Sequence, residues 1–344
     1  MSSLGDSPLP RQRHQRLVRP AFLPLALILL SSVPVAAQRT PSRVLPVAPP
    51  SRAESLLARG RLRAAEDALY AAVTAAPRSP SARGELGRYL AARARFTIAE
   101  VLFREALRFG ADTPSVAQAL AAMAPYTPEI DRRLIPGARL PAAEAARESA
   151  RLAVHTSAVA PASAAAPTAV PFAFARSEGL LGSFMLRGSS GSRRAVLDLR
   201  ASGLSVARPD DAALKPRSFG ARGPGAPLLI DTLWIGNEVL RGVEARVDPN
   251  VPEGQVRVGI DLLWSLQPIF DEMNGTMTLS APGTVRRIGR SAVQIPFSLG
   301  FPGMWLIPTV GESPVALSST RAQALLGKSR WWWDGSQSTL IVER

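Results

Sequence analysis

The chain has 344 residues, 46% of them apolar, and a formal net charge of +14, enough for two compact domains and too apolar for disorder throughout. Its excess charge is almost all arginine, scattered without interleaved aromatics, which predicts a solvated basic surface and no nucleic-acid partner. Cysteine is absent and the only histidines are His14 and His155, so disulfides, thiol catalysis, Cys/His zinc sites and a Ser-His-Asp triad are excluded, and no metal or other cofactor is expected.

Residues 1–37 open with Arg11, Arg13, Arg16 and Arg19, continue through an apolar run from Ala21 to Leu30, and end in Val35-Ala36-Ala37. This is the pattern of a signal peptide, so an exported, periplasmic or extracellular protein is expected. The run is broken by Pro24 and Pro34 and falls short of the ~20 residues that a spanning helix needs, so no stable membrane span is expected once it is cleaved. An uncleaved anchor is the alternative. Residues 38–50 are rich in proline and read as a linker.

From Ser51 the period becomes helical, and the chain matches itself at an offset of 34 residues. Gly60, Leu62, Ala65, Glu66, Ala72 and Val73 fall on Ala94, Phe96, Ala99, Glu100, Ala106 and Leu107, and Leu86 falls on Leu120. The pattern over 51–125 resembles the tetratricopeptide repeat, whose small residues let paired helices approach. The resemblance implies a stack with a concave face for a peptide or protein partner. A spacer or oligomerisation module is the other reading.

Residues 126–169 read as an Ala/Pro-rich linker carrying a short helix over 142–153. The period then becomes two. Strands are predicted over 172–174, 183–186, 194–197, 228–235, 244–247 and 256–260. A short helix is predicted over 209–214, a glycine-rich loop over 220–225, a helical turn at 262–264, and a hairpin turning at Asn274-Gly275. Many short strands joined by such turns indicate an all-β barrel.

Within it, Val196-Leu197-Asp198-Leu199-Arg200-Ala201-Ser202 resembles the active-site segment of retropepsin-like aspartic proteases, two apolar residues followed by Asp-Thr-Gly-Ala-Ser. The resemblance runs on through Leu233 to Gly236, Val243 to Val247, Val258-Gly259-Ile260-Asp261-Leu262-Leu263 and Gly275 to Leu279, about residues 170–285. It implies that Asp198 is the candidate catalytic acid and that Leu199, Arg200, Ala201 and Ser202 form its turn. It further implies that Gly259 lets a second loop cross beneath that turn, and that Gly220, Gly223 and Gly225 belong to a flap. Asp231, Asp261 and Asp271 lie at strand or turn ends and are assigned no special role.

The family's chemistry needs two facing carboxylates that share a proton. Placing Ser202 on Ser313, an offset of 111, pairs Leu204-Ser205-Val206 with Val315-Ala316-Leu317, and Val170-Pro171-Phe172 is echoed by Ile295-Pro296-Phe297. Asp198 then falls on Thr309, so the second copy has no aspartate there. Asp271 falls on Asp334 at an offset of only 63, so this copy over 286–344 is truncated. Leu199 and Arg200 stand where the family has Thr and Gly, and an ion pair between Arg200 and Asp198 is expected. The whole reads as an α+β multidomain protein: tetratricopeptide-like helical repeats, then a retropepsin-like barrel with a truncated second lobe. The expected function is capture of an extended peptide or protein partner with little or no proteolysis. The alternative is an active aspartic endopeptidase that pairs two Asp198 residues in a homodimer.

Overall fold

The computed structural model describes residues 52–127, 129–137, 139–157, 167–177, 179–280, 286–300, 303–307 and 314–344. The expected signal segment and the linker over 38–50 lie outside the described residues, as does Thr309.

Five helices come first: α1 (Arg52–Ala58), α2 (Leu62–Ala75), α3 (Pro80–Ala92), α4 (Phe96–Arg108) and α5 (Thr113–Met123). The offset of 34 is a repeat of geometry as well as of letters. Gly60 and Ala94 take φ of 68° and 58°. The next residues, Arg61 and Arg95, have ψ of 65° and 60°, and their amides donate to the Leu56 and Leu90 carbonyls at 2.9 and 2.8 Å. Ala65 and Ala99 occupy the same point of α2 and α4, and both are fully buried. Ser79 caps α3 and Asp112 caps α5 by accepting from amides three residues on, each with proline in the first turn. Such caps satisfy donors that a helix start leaves free. Between α3 and α4, Phe103 lies against Gly87, a position where a side chain would hold the helices apart. Two short 3-10 turns, Ala124–Tyr126 and Arg132–Leu134, lead to α6 (Ala142–Ser157).

The strands follow: β1 (Thr168–Pro171), β2 (Ala173–Ser177), β3 (Leu180–Arg187), β4 (Ser192–Asp198), β5 (Leu204–Val206), β6 (Arg217–Ser218), β7 (Pro227–Ile235), β8 (Glu238–Val247) and β9 (Gln255–Val258). After α7 (Ile260–Trp264) come β10 (Ile269–Asp271), β11 (Thr276–Leu279), β12 (Val293–Gly300), β13 (Gly303–Leu306) and β14 (Val315–Ala316), then α8 (Thr320–Leu326), β15 (Arg330–Asp334) and β16 (Thr339–Glu343).

One sheet runs β3-β4-β9-β5-β8-β7 and returns to β3 through the Arg187–Trp234 pair, closing a six-stranded barrel, with β2 and β6 attached at its margins. Alternation sets its inside: Ala195, Leu197, Leu204, Val206, Val256 and Val258 point inward and are buried. Strands β4 and β9 run parallel, and β5 lies between β9 and β8. This arrangement brings the ends of β4 and β9 together, and with them the residues after Asp198 and Val258.

The second sheet runs β1-β11-β10-β15-β16-β12-β13-β14. Its two halves repeat each other about the central β10–β15 pair. Pro171 and Asp271 both face Thr276, as Pro296 and Asp334 both face Thr339. The Phe172 amide donates to the Gly275 carbonyl and the Phe297 amide to the Ser338 carbonyl, at 2.8 and 3.0 Å. Trp331 stacks on Phe270 with centroids 4.4 Å apart, and Trp333 stacks on Trp264 at 5.5 Å, so both fill the core where the halves meet.

Two expectations are corrected. Residues 209–214 form turns and no regular helix. The Asp211 carboxylate caps one turn by accepting from the Ala213 and Leu214 amides at 3.0 Å each, and the Lys215 amide closes it on the Asp211 carbonyl at 2.8 Å. The turn stops there because Lys215 has φ of 49° and Pro216 follows. The helix expected over 142–153 is present but longer, as the 16-residue α6, and it is no part of a free linker, being packed on β7 and β8 through buried Arg147, Glu148 and Arg151. The helical and β parts belong to one compact unit. Among the described residues, no helix is long and apolar enough to cross a membrane.

Candidate functional site

Asp198 is the last residue of β4 and is buried, its side chain 5% exposed. The Arg200 amide donates to its Oδ1 at 2.8 Å. The Arg200 Nε lies 3.5 Å from Oδ1, and the Arg257 Nε lies 3.5 Å from Oδ2. The carboxylate is thus flanked by two guanidiniums, one from its own turn and one from β9. Arg257 also reaches Asp248 Oδ2 at 3.1 Å. Leu199 is buried in the barrel core, and its amide donates to the Gly179 carbonyl at 2.8 Å. Arg200 lies across Gly179, whose φ of 95° and missing Cβ leave that space.

The turn after Asp198 is tied to the segment after β9. Ser202 Oγ donates to Asp261 Oδ2 at 2.9 Å, and the Gly203 amide donates to both Asp261 oxygens at 2.8 and 3.0 Å. The Gly259 amide closes the link by donating to the Gly203 carbonyl at 2.8 Å. A Cβ on Gly259 would stand 2.5 Å from the Ala201 carbonyl oxygen and against Asp261 Oδ1. Gly259→Ala is therefore expected to cost about 1–3 kcal/mol by overpacking, read as a lowered denaturation midpoint.

Burial pushes the Asp261 carboxyl up to about 6, against the hydrogen bonds from Gly203 and Ser202 that pull it down. Behind it, a cavity of about 140 Å³ is walled by Asp261, Gly203, Tyr126, Arg151, Glu244 and other residues. Tyr126 stacks on Phe96 at 4.9 Å and meets Trp264 edge-on at 5.6 Å. Burial and the nearby Asp261 charge both raise its phenol. The end of the helical part therefore rests on the back of the Asp198 turn.

Asp261, Arg257, Gly179 and Tyr126 have site positions that the sequence reading did not assign. Only Asp261 carried a signal, as a lone acid within Ile260-Asp261-Leu262-Leu263. Gly220, Gly223 and Gly225 have φ of 83°, 89° and 76° in an exposed loop between β6 and β7. That loop is anchored where the Gly225 amide donates to the Val247 carbonyl at 2.7 Å. Among the described residues, no group of three or more His, Asp or Glu side chains is arranged to hold a metal ion.

No family model matches the chain, and no curated protein matches it. Among solved structures, the chain is similar to the crystal structure of a retropepsin-like aspartic protease from Rickettsia conorii. The match has 16% identity and a TM-score of 0.25, covering 34% of this chain and 92% of the other.

Proposed function

We propose that this is an exported protein in which tetratricopeptide-like repeats are joined to a retropepsin-like barrel with a truncated second lobe. It binds an extended peptide or protein partner and does not cleave it. The observation that carries this reading is the environment of Asp198, whose carboxylate lies between Arg200 and Arg257. Aspartic proteolysis needs two carboxyls in contact sharing a proton, so that one polarises the peptide carbonyl while the other activates water. The charged groups that lie against Asp198 are two guanidiniums, each with an Nε 3.5 Å from a carboxylate oxygen, where the dyad would need a second carboxyl. Leu199, apolar and packed in the core, offers no hydroxyl to lock two such turns together.

The test is cleavage of unfolded protein at acid pH by the purified chain and by Asp198→Asn. No cleavage by either is expected. Cleavage by the parent that is lost in Asp198→Asn would overturn the reading in favour of an endopeptidase pairing Asp198 across a homodimer.

A further inference from the structure

The sheet that joins the two halves has a second face. Phe270, Trp331, Trp333, Leu340 and Val342 enter the main core, whereas Ile269, Trp332 and Ile341 form a separate buried cluster. A groove of about 1050 Å³ runs between this sheet and the helical part, with Phe96, Tyr126, Trp264, Trp332 and Ile341 among its walls. Its volume is at the upper end of the ~300–1,000 Å³ usual for ligand sites. Polar groups of Thr97, Thr127, Ser265 and Gln267 also line it. Arg286 and Trp332 are shared with an adjoining cavity of about 200 Å³, completed by Ile269, Arg287, Arg330 and Glu343.

That smaller cavity has too much positive charge. Three arginines and one glutamate line it, and Glu343 Oε1 is already engaged by the Gly289 amide at 3.2 Å. Arg286 Nη2 donates to Ser280 Oγ at 2.9 Å and to the Gln267 carbonyl, but its Nη1 is buried without a hydrogen-bond acceptor. Burial, and then the neighbouring Arg330, pull this guanidinium down to about 10. An anion in this cavity would be met by Arg287 and Arg330, which are exposed, and would offset their charge and that of Arg286 beside them.

We propose that the groove captures the C-terminal end of a peptide, its apolar side chains against the aromatic wall and its terminal carboxylate on Arg286, Arg287 and Arg330. The polar groups along the groove favour a peptide over a fatty acid, since they can pair with backbone amides that an acyl chain lacks. This inference rests on the peptide-binding reading above, and it adds which part of the peptide is recognised and where.

The immobilised chain would be offered a hexapeptide mixture with Ala, Val, Leu and Phe varied over the last four positions, prepared as free acids and as C-terminal amides. Free acids are expected to be retained about tenfold or more over amides, the scale of one charge-assisted contact. The double variant Arg287→Gln/Arg330→Gln alters two exposed side chains, and its folding is checked by thermal melting. It is expected to keep the fold and to lose the preference. Equal retention of acids and amides would overturn carboxylate recognition and leave peptide binding standing. Retention of neither would overturn both. Displacement of bound peptide by micromolar laurate, with no preference among peptides, would assign the groove to acyl chains and overturn the proposal.

Discussion

Replacing Glu148 with alanine is expected to destabilise the protein by about 3–5 kcal/mol, the usual cost of removing one partner from a buried ion pair. The Glu148 side chain is fully buried on α6. It accepts from the Arg132 amide at 3.0 Å and from Arg132 Nη2 at 2.5 Å, and from Arg151 Nε and Nη2 at 3.0 and 2.7 Å. Glu244 on β8 takes the other side of the same arginines, pairing with Arg132, with Arg151 at 3.4 Å and with Arg147 at 3.3 Å. Truncating Glu148 would leave the largely buried Arg132 and Arg151 to share Glu244 with Arg147. Equilibrium denaturation of Glu148→Ala against Glu144→Ala measures the effect. Glu144 is 17% exposed and its loss is expected to cost less.

The same group predicts an acid transition. Burial alone would raise the Glu148 carboxyl, but hydrogen bonds from Arg151 and Arg132 outweigh it and bring it down to about 2. Its folded value is therefore below the ordinary 4.5. The stability it contributes, roughly 3 kcal/mol, is fully present above about pH 4.5 and is lost as pH falls toward 2. Glu148→Ala is expected to lose that part of the acid dependence. A penalty under about 1 kcal/mol would mean that α6 does not dock on the barrel as described.

Such a network is hidden from sequence because its members are ordinary in their local settings. Arg147, Glu148 and Arg151 in an alanine-rich helix have the spacing of a solvated face, and only Glu244, some hundred residues later, turns that face inward. The repeated strands of the central sheet were legible for the opposite reason. Ile295-Pro296-Phe297 and Asp334 occupy positions where strand pairing, turn and core each restrict the residue, so the constraint shows twice in one chain. The helical offset was legible likewise, since Gly60 and Ala94 close equivalent turns. The Asp198 turn stands between these cases. Its letters marked the position and predicted the Arg200 contact, while Arg257 came from a neighbouring strand whose register no local pattern discloses.

The second large effect concerns what holds that turn. Asp261 anchors Ser202 and Gly203 from behind, yet its carboxyl stands near 6 in the folded chain against an ordinary 3.8, with burial as the leading cause. A raised carboxyl binds its proton more tightly in the folded state, so stability is highest below about pH 4 and falls as pH rises through 6, by roughly 3 kcal/mol in all. The direction is opposite to that of Glu148, so the two variants separate the contributions. Asp261→Ala removes the acceptor for the Gly203 amide and opens a small void, a loss of about 2–4 kcal/mol near pH 4.5. That penalty is expected to shrink by pH 8, because the variant no longer carries a desolvated charge. Asp261→Asn keeps an acceptor without the charge, and is expected to flatten the profile between pH 4 and 6 and to match or exceed the parent at pH 8. Denaturant midpoints at pH 4.5, 6 and 8 provide the measurement. A penalty for Asp261→Ala that grows with pH would show the three hydrogen bonds prevailing over burial, with the turn fastened most tightly by an ionised group. In the outcome expected here, neutral Asp261 holds the turn best at the acid pH where an aspartic protease would work, with Arg200 and Arg257 placed against Asp198 in front of it. A rigid turn without cleavage at that pH would then place the defect in the chemistry of Asp198 and its arginines, and not in a loosened scaffold.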